Sequence, residues 1–422
     1  MREMKDSGID WIGTIPQDWQ LSKIGSLYTQ RNEKVSDKDY QPLSVTMQGI
    51  LPQLATAAKT DDGGNRKLVR AGDFAINSRS DRRGSCGISP LDGSVSLINI
   101  ILTPRTAMHP GYYNWLFHTT LFADEFYKWG HGIVADLWTT RWQEMKSITV
   151  PVPEYAEQER IAAFLDAECA EIDAVLEKTR ASIEEYKKLK QAVITQAVNK
   201  GIRGDRPMKD SGIEWIGDIP AGVPISRVGL HFDIVLGKML CSAPVDDNYT
   251  LESYYCAADV HFEGLSNGEK KKMWFSPDEK EQYCVKNGDL LVVEGGAGAG
   301  GCAIAVSTNV PIYIQNSIMI VRSKGISNIR YLRYLLECLV KKGYIDVVCN
   351  KATIPHFTKD KLANVPFIVF SQSEQEEIAE YLNEKCAGID ALIVKKQQYL
   401  TEIENYKKSL IYEYVTGKKE VV

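Results

Sequence analysis

The sequence predicts two mixed α/β (α+β) domains in a pseudo-two-fold arrangement, joined by two long helices that form an antiparallel coiled coil. Three observations lead to this prediction: an internal repeat, a heptad pattern at the end of each repeat, and strand-like and helix-like runs between them. The chain has 422 residues, of which 44% are hydrophobic and 25% charged, so it is long enough for two globular domains.

The repeat is clearest in a box of thirteen residues near the start of each half. Residues 4–16 read MKDSGIDWIGTIP and residues 208–220 read MKDSGIEWIGDIP, so eleven of thirteen positions agree at an offset of 204. Further on, residues 157–161 (EQERI) match residues 374–378 (EQEEI) at an offset of 217. The offset grows by 217 − 204 = 13, so the segment between box and match is about that much longer in the second half.

The segments that follow residues 157 and 374 carry two apolar rows at heptad spacing, as in a coiled-coil seam. We expect pairing through Leu165, Ile172, Leu176, Ile183, Tyr186 and Val193 in the first segment and Leu382, Ile389, Ile393, Leu400, Ile403 and Leu410 in the second. The alternative is that each helix is buried against its own domain. Both seams place a lysine at the same step, Lys190 and Lys407, which favours mutual pairing. A pseudo-two-fold axis then requires antiparallel helices, with the variable domains at opposite ends.

The intervening segments are expected to be one fold with diverged surfaces. Residues 94–102 and 289–293 are strand-like, residues 112–126 and 329–341 are helix-like, and residues 69–74 (VRAGDF) parallel residues 285–290 (VKNGDL). Ser373 with Glu376 fits a capping box at the start of the second long helix. The expected domains are 1–150 and 206–367, with the spacer helices in 151–205 and 368–422.

Several classes of protein are disfavoured by composition. The chain has no apolar run near the ~20 residues of a membrane span, and its charged first residues do not resemble a secretory signal, so we expect a cytoplasmic protein. Nine cysteines without a Cys-x-x-Cys pair, and six histidines without a zinc-protease spacing, predict reduced thiols and no metal site. The net charge of −5 alone argues weakly against nucleic-acid binding, although basic clusters occur at residues 79–83 and 270–272.

Catalytic and cofactor motifs are weak. Residues 296–301 (GAGAGG) fit the glycine pattern of a nucleotide loop, but residues 302–306 read as a strand rather than a helix. No acidic residue lies between Glu294 and Glu337 to bind a ribose. A tight turn, or a loop that lets the backbone approach a ligand, is the better interpretation. The sequence also lacks a Walker A loop and the Asn/Asp-Pro-Pro-aromatic motif of adenine methyltransferases, so no cofactor is predicted.

The repeated box and the run at residues 150–161 (VPVPEYAEQERI) resemble the specificity subunits of type I restriction-modification systems. The resemblance extends over essentially the whole chain in the order domain, helix, domain, helix. The second copy of the proline-rich run, at residues 365–375, has lost its second proline.

The resemblance implies a non-catalytic subunit that binds double-stranded DNA. Each target-recognition domain would read one half of a split target in the major groove. The two helices would set the unread spacer and dock two methyltransferase (M) subunits, and restriction (R) subunits would join that complex.

Arginine and lysine supply affinity for phosphates, whereas side chains that reach base edges supply specificity. In the first domain we expect DNA contacts from a basic loop and from a segment before the exit strand, whose threonines could instead cap the next helix. These candidates are Asn77, Arg79, Arg82, Arg83, Ser85, Thr139, Thr140 and Arg141. In the second domain the candidates are Lys271, Glu294, Lys351, Thr353, His356 and Lys359. The two sets differ in charge, which predicts two different half-sites.

Two other functions remain open at this stage. A stand-alone DNA binder, such as a regulator, would need no partner subunits. An enzyme without familiar motifs would show turnover as a purified chain.

Overall fold

The computed structural model of the chain describes residues 2–53, 63–79, 82–132, 138–349 and 355–421. Its contacts divide the chain into two units, Met1–Ala181 with Lys396–Val422, and Ser182–Lys395. Each unit holds one mixed α/β domain together with a segment of each of two long helices. The predicted fold class is therefore confirmed.

The first domain contains thirteen described strands and four short helices, and the first long helix follows it. The elements are β1 (Met4–Asp6), β2 (Thr14–Pro16), β3 (Gln20–Lys23), α1 (Ile24–Leu27), β4 (Tyr28–Arg31), β5 (Lys34–Val35), β6 (Leu43–Thr46), β7 (Gly49–Pro52), β8 (Arg66–Val69), β9 (Phe74–Asn77), β10 (Cys86–Ile88), β11 (Gly93–Val95), β12 (Asn99–Pro104), α2 (Pro110–Phe117), α3 (Thr120–Lys128), α4 (Trp142–Met145), β13 (Thr149–Val152) and the long helix α5 (Tyr155–Lys200).

The second domain repeats this order with local differences, and the second long helix ends it. The elements are β14 (Met208–Asp210), β15 (Asp218–Pro220), β16 (Ile225–Arg227), α6 (Val228–His231), β17 (Phe232–Leu236), β18 (Thr250–Tyr255), a 3-10 turn (Ala257–Asp259), β19 (Val260–His261), β20 (Gly264–Leu265), β21 (Lys271–Phe275), α7 (Pro277–Tyr283), β22 (Leu290–Val293), β23 (Cys302–Ile304), β24 (Tyr313–Ile314), β25 (Ile318–Ser323), α8 (Ile329–Lys341), α9 (Tyr344–Val348), α10 (Lys359–Ala363), β26 (Pro366–Ile368) and the long helix α11 (Gln372–Val415).

The repeated boxes form matching hairpins. Strands β1 and β2 pair with Met4 opposite Pro16, and β14 and β15 pair with Met208 opposite Pro220. Ile12 and Ile15 of the first box, and Ile216 and Ile219 of the second, are buried in the core of their own domain, so the box is a structural element.

Each domain is built on a four-stranded antiparallel sheet of the same strand order. The order is β10-β9-β12-β4 in the first domain and β23-β22-β25-β17 in the second. Alternate residues of β22 point to two different cores, Leu290 and Val292 to one and Leu291 and Val293 to the other. Such two-sided burial explains why this strand reads as a continuous apolar run.

The Gly-Asp motif shared by the two domains shapes the turn before the central strand. The carboxylate of Asp73 accepts the backbone N–H of Arg70 and the guanidinium of Arg31, and Asp289 accepts the N–H of Lys286 and the guanidinium of Arg322. The hydrogen bond to Asp289 raises the pKa of Arg322. The predicted parallel between residues 69–74 and 285–290 is therefore confirmed as one local structure.

Some predicted elements differ in detail. The predicted strand at residues 94–102 is interrupted between β11 and β12, where the N–H of Asn99 bonds to the carbonyl of Ser96. The predicted helix at 112–126 is two helices, α2 and α3, and the hydroxyl of Thr119 caps the second. The predicted helix at 329–341 is confirmed as α8.

The capping box predicted from Ser373 and Glu376 is wrong. Helix α11 begins at Gln372, and the hydroxyl of Ser371 accepts the N–H of Glu374. Ser373 lies inside the first turn and donates its hydroxyl to Glu377. Ser371 and Ser373 lie two residues apart in the sequence, and the helix begins so that Ser371 is the capping residue.

Within each unit, segments of the two long helices run antiparallel. In the first unit Lys407 bonds to Asp173 at 2.6 Å, and the rings of Phe164 and Tyr414 lie 4.4 Å apart. In the second unit Lys190 bonds to Asp390 at 2.7 Å. Lys407 and Asp390 lie 217 residues after Lys190 and Asp173, so the same ion pair occurs once in each unit. This pair accounts for the lysine that interrupts both apolar seams.

All of the residues predicted to pair the two helices are buried or half-buried. Those that are buried are Leu165, Leu176, Ile183, Leu382, Ile389 and Leu410, and those that are half-buried are Ile172, Tyr186, Val193, Ile393, Leu400 and Ile403. The end segments also join a domain core, Leu410 in the first unit and Leu382 in the second. Each long helix thus both pairs with the other long helix and packs against a domain.

Each domain binds the C-terminal end of the long helix that follows the other domain. The hydroxyl of Tyr112 donates to the carbonyl of Val415 at 2.8 Å, and the hydroxyl of Tyr331 donates to the carbonyl of Val198 at 3.0 Å. Val415 lies 217 residues after Val198, so the two contacts are equivalent.

The repeated Glu-Gln pair fixes the N-terminal end of each long helix to its domain. The amide of Gln158 accepts the N–H of His109 and donates to the carbonyl of Pro153. Gln375 makes the same two bonds, to the N–H of Asn328 and the carbonyl of Phe370.

The glutamate of each pair binds an arginine that precedes the repeated box. Glu157 binds Arg2 and Glu374 binds Arg206, and these arginines lie 204 residues apart. The guanidinium of Arg206 also lies 5.6 Å from the ring centroid of Phe370.

The cysteines are all free thiols. Burial raises the pKa of Cys169 and of Cys386, at equivalent positions of the long helices, to about 11, so both are protonated at neutral pH. Across the ranges that the structure describes, there is no cluster of three or more metal-binding side chains. None of the helices in those ranges is both long and apolar enough to cross a membrane.

Replacement of Arg206 by methionine is expected to destabilise the second unit by about 3 kcal/mol. The side chain of Glu374 is only 6% exposed, so loss of its partner leaves a buried carboxylate without its main counter-charge. Calorimetric unfolding of the full chain measures the effect. The control is Arg180→Met, which removes an ion pair with Glu404 whose two side chains are about half exposed. Equal losses in both variants would contradict the assignment.

Candidate nucleic-acid interface

The two candidate segments of the first domain form one surface. The N–H of Thr140 donates to the carbonyl of Ser78 at 3.0 Å, and Arg79 and Thr139 pair as an isolated antiparallel bridge. The basic loop after β9 and the segment before α4 are therefore neighbours, although some sixty residues separate them in sequence.

Three of the predicted contact residues are buried and shape this surface. The side-chain oxygen of Asn77 accepts the N–H of Arg79 at 3.0 Å, and the hydroxyl of Thr140 donates to the carbonyl of Phe126 at 2.8 Å. Ser85 is also buried, and its N–H donates to the carbonyl of Arg82. These bonds hold the backbone from which the neighbouring arginines project.

The capping alternative for the two threonines is wrong. Helix α4 begins at Trp142, and the N–H of Arg141 donates to the side chain of Glu144 at the helix start. Thr139 is half-buried and exchanges both backbone hydrogen bonds with His131. Neither threonine side chain therefore occupies the capping position.

The exposed cations of this surface are Arg79, Arg82, Arg83 and Arg141. Arg83 is already bound to its own domain, because its guanidinium pairs with Asp124 and lies 5.8 Å from the ring centroid of Tyr127. The hydroxyl of Tyr127 in turn donates to the carbonyl of Asn77 at 3.1 Å.

The second domain builds the same framework after its central strand. The N–H of Phe357 donates to the carbonyl of Glu294 at 2.6 Å, and Gly295 pairs with His356 as an isolated antiparallel bridge. The side chains of Glu294 and His356 lie 3.3 Å apart. Lys351 and Thr353 fall outside the described residues.

Equivalent hydrogen bonds align the two surfaces residue by residue. Thr140 bonds to Ser78 as Phe357 bonds to Glu294, which makes Gly295 the counterpart of Arg79. By the same pairing His356 is the counterpart of Thr139. One backbone arrangement therefore presents arginine and threonine in the first domain, and glycine, glutamate and histidine in the second.

The glycine-rich loop at residues 296–301 is a tight connection between β22 and β23. Gly296 and Gly300 have φ of 89° and 81°, a region that favours glycine. A Cβ on Gly300 would lie 2.9 Å from side-chain atoms of Ile345 and Val340. The predicted strand after the loop is confirmed as β23, so the loop opens no helix for a phosphate to bind.

The remaining predicted contacts lie on exposed positions of regular elements. Lys271 is exposed on β21, opposite Tyr254, and Lys359 is the exposed first residue of α10. Lys270, by contrast, is bound to Asp259 at 3.0 Å and has little exposure.

Sequence reasoning missed a polar turn at the edge of this surface. The N–H of Glu294 bonds to the carbonyl of Ser317, which places the turn at residues 315–317 beside the glutamate. The amides of Gln315 and Asn316 are bonded to each other at 2.7 Å. The signal that was available is a run of three polar residues between the two apolar strands β24 and β25.

Comparison with known proteins is consistent with this architecture. Residues 263–402 match the family described as the type I restriction modification DNA specificity domain. The chain is 23% identical to the type I restriction enzyme MjaVIII specificity subunit of Methanocaldococcus jannaschii, and the alignment covers 96% of this chain and 94% of that protein.

Two solved structures share the fold over nearly the whole chain. One comes from a study of complex assembly and conformational transition of the type I R-M system, with a TM-score of 0.75, 16% identity and coverage of 96% of this chain and 99% of that one. The other is the HsdS subunit from Thermoanaerobacter tengcongensis, with a TM-score of 0.55, 18% identity and coverage of 96% and 98%.

Fold and sequence together define a protein with a DNA specificity domain, in which two like domains are combined with two long helices. Over these comparisons the chain is similar to type I restriction-modification specificity subunits, as its sequence motifs suggested. The matched family and the curated relative are specificity subunits, which are the non-catalytic members of such systems.

Proposed function

We propose that each domain of this chain reads one half of a bipartite DNA target through the surface formed after its central strand. The observation that carries this proposal is the shared framework: equivalent backbone bonds hold two loops with different side chains. A fixed framework with variable side chains suits the recognition of two different base sequences.

In the first domain, Arg79, Arg82 and Arg141 are the exposed cations that would bind phosphates or guanine edges. Arg83 contributes less, because Asp124 already balances its charge. Asn77, Ser85, Thr139 and Thr140 act mainly by holding the loop, since three of them are buried and Thr139 is half-buried.

In the second domain, Glu294 would accept a hydrogen bond from a cytosine amine, with His356 beside it. Lys359 and Lys271 are exposed and suited to phosphates. Lys351 and Thr353 remain proposed contacts on sequence grounds. The difference in charge between the two surfaces supports two different half-sites.

The long helices α5 and α11 would set the length of the unread spacer and dock two methyltransferase (M) subunits, which restriction (R) subunits then join. Exposed apolar side chains along these helices support a partner surface, among them Val175, Leu189, Leu392, Tyr399 and Tyr406. We propose the division into recognition domains 1–150 and 206–367 and spacer helices 151–205 and 368–422, and a cytoplasmic location with the rest of the complex.

Methylation sequencing of DNA from cells that express this chain with its methyltransferase tests the proposal. We expect a split motif with one N6-methyladenine in each half, which is absent without this chain. If no such motif arises while the same methyltransferase works with another specificity subunit, the proposal is wrong, and a stand-alone binder or a degenerate relic is left.

Replacement of Arg79 by alanine is expected to weaken DNA binding by the assembled complex about 5- to 100-fold, the range for one lost charged base or phosphate contact. The second half of the motif should not change. The matched control is Arg70→Ala, which removes an exposed arginine from the turn at the opposite end of strand β9. Titration of labelled DNA measures both variants, and equal losses would show that overall charge rather than the loop is responsible.

Insertion of one heptad into both long helices, after Ala181 and after the equivalent Gln398, is expected to lengthen the spacer by about three base pairs. Seven residues add about 10 Å of helix, and one base pair spans about 3.4 Å. The half-sites should stay the same in methylation sequencing. Insertion into one helix alone is the control, because the two helices then differ in length between the ion pair of Lys190 with Asp390 and that of Lys407 with Asp173, so both pairs cannot form. Altered half-sites in the double insertion would refute the spacer role.

A further inference from the structure

A short segment of the second domain, residues 237–241, borders the candidate interface, and we call it the rim segment. The N–H of Asn316 donates to the carbonyl of Lys238 at 2.8 Å, and the N–H of Gly237 donates to the carbonyl of Ile318 at 3.0 Å. The polar turn at 315–317 bonds in turn to Glu294. The rim segment is thus connected through one turn to the glutamate of the proposed DNA-binding surface.

The backbone of the rim segment is held firmly by Lys238. Its ammonium bonds to Glu279 at 2.5 Å and lies 4.8 Å and 5.4 Å from the ring centroids of Tyr249 and Phe275. A Cβ on Gly237 would lie 2.5 Å from the carbonyl oxygen of Gln315, so this position requires glycine. The two residues that follow the lysine therefore project from a fixed point.

Those two residues are large, apolar and unusually exposed. Met239 is 75% exposed and Leu240 is 63% exposed. In the first domain the segment that follows the equivalent strand β4 is β5, which pairs with β8 and keeps Val35 half-buried. The exposure of Met239 and Leu240 is therefore a feature of the second domain and not of the fold.

We infer that Met239 and Leu240 contact the 5-methyl group of a thymine in the half-target read by the second domain. This inference rests on the proposed function. Among the base edges displayed in the major groove, the thymine methyl is the one apolar group, and apolar side chains recognise it. Met239 and Leu240 thereby select thymine at one position, next to the base that Glu294 reads.

Substitution of deoxyuridine for thymine tests this contact, because it removes the methyl group and leaves the hydrogen-bonding edge intact. With the motif known from methylation sequencing, each thymine of the second half-site is replaced in turn, and binding by the complex with its methyltransferase is measured. We expect one position at which the wild-type complex loses about fourfold in affinity, the ratio for one buried methyl-sized group.

The variants Met239→Ala and Leu240→Ala should bind the deoxyuridine and thymine forms of that position with nearly equal affinity. Val310→Ala is the matched control: Val310 is 60% exposed and lies near the start of strand β22, at the end away from Glu294. This variant should keep the wild-type preference for thymine.

Three results would overturn the inference. The second half-site could contain no thymine, deoxyuridine could have no effect at any position, or the two variants could keep the wild-type preference. Weaker assembly with the methyltransferase in Met239→Ala, with an unchanged thymine preference, would identify a protein contact instead. In each case a bipartite methylated motif would still support the proposed function, whose own failure is the absence of any such motif.

Discussion

The architecture of each unit depends on one constraint: a buried carboxylate and a buried amide at the start of a long helix need partners. Glu374 and Gln375 find those partners in Arg206 and in backbone groups of the second domain, and Glu157 and Gln158 do the same in the first. Since unpaired buried polar groups are costly, the helix can begin at only one place relative to its domain. That anchor also fixes the register from which the ion pairs of Lys190 and Lys407 follow.

A rigid anchor of this kind allows the exposed loops to vary. The loops after β9 and β22 share their backbone bonds, yet one presents arginines and the other glycines with a glutamate. Loops on a fixed scaffold are where recognition commonly lies, because their side chains can change without loss of the core. In this chain the shared bonds come from backbone groups, and a change of side chain leaves them intact.

The architecture could be predicted from the sequence because the patterns that indicate it extend over many residues. The repeated box, the paired heptads and the Gly-Asp turn each bury several side chains in a regular pattern, and all three were found in the structure. The sites were harder because they depend on contacts between distant segments. Nothing in the sequence shows that Thr139 lies beside Arg79, that Asn77 and Thr140 turn inward, or that Lys238 fixes two exposed apolar residues. The cap at Ser371 was also not predicted, because both Ser371 and Ser373 fit the local sequence pattern of a helix start.

The bond from Tyr112 to the carbonyl of Val415 has a consequence for biogenesis. It joins residues 303 positions apart, whereas the second unit is one continuous stretch, Ser182–Lys395. On the ribosome the second unit is therefore complete in sequence while the first still lacks residues 396–422. Although the first domain emerges first, it acquires its last helical partner only when residues 396–422 have been translated. The order of synthesis and the order of completion are thus opposite in this chain.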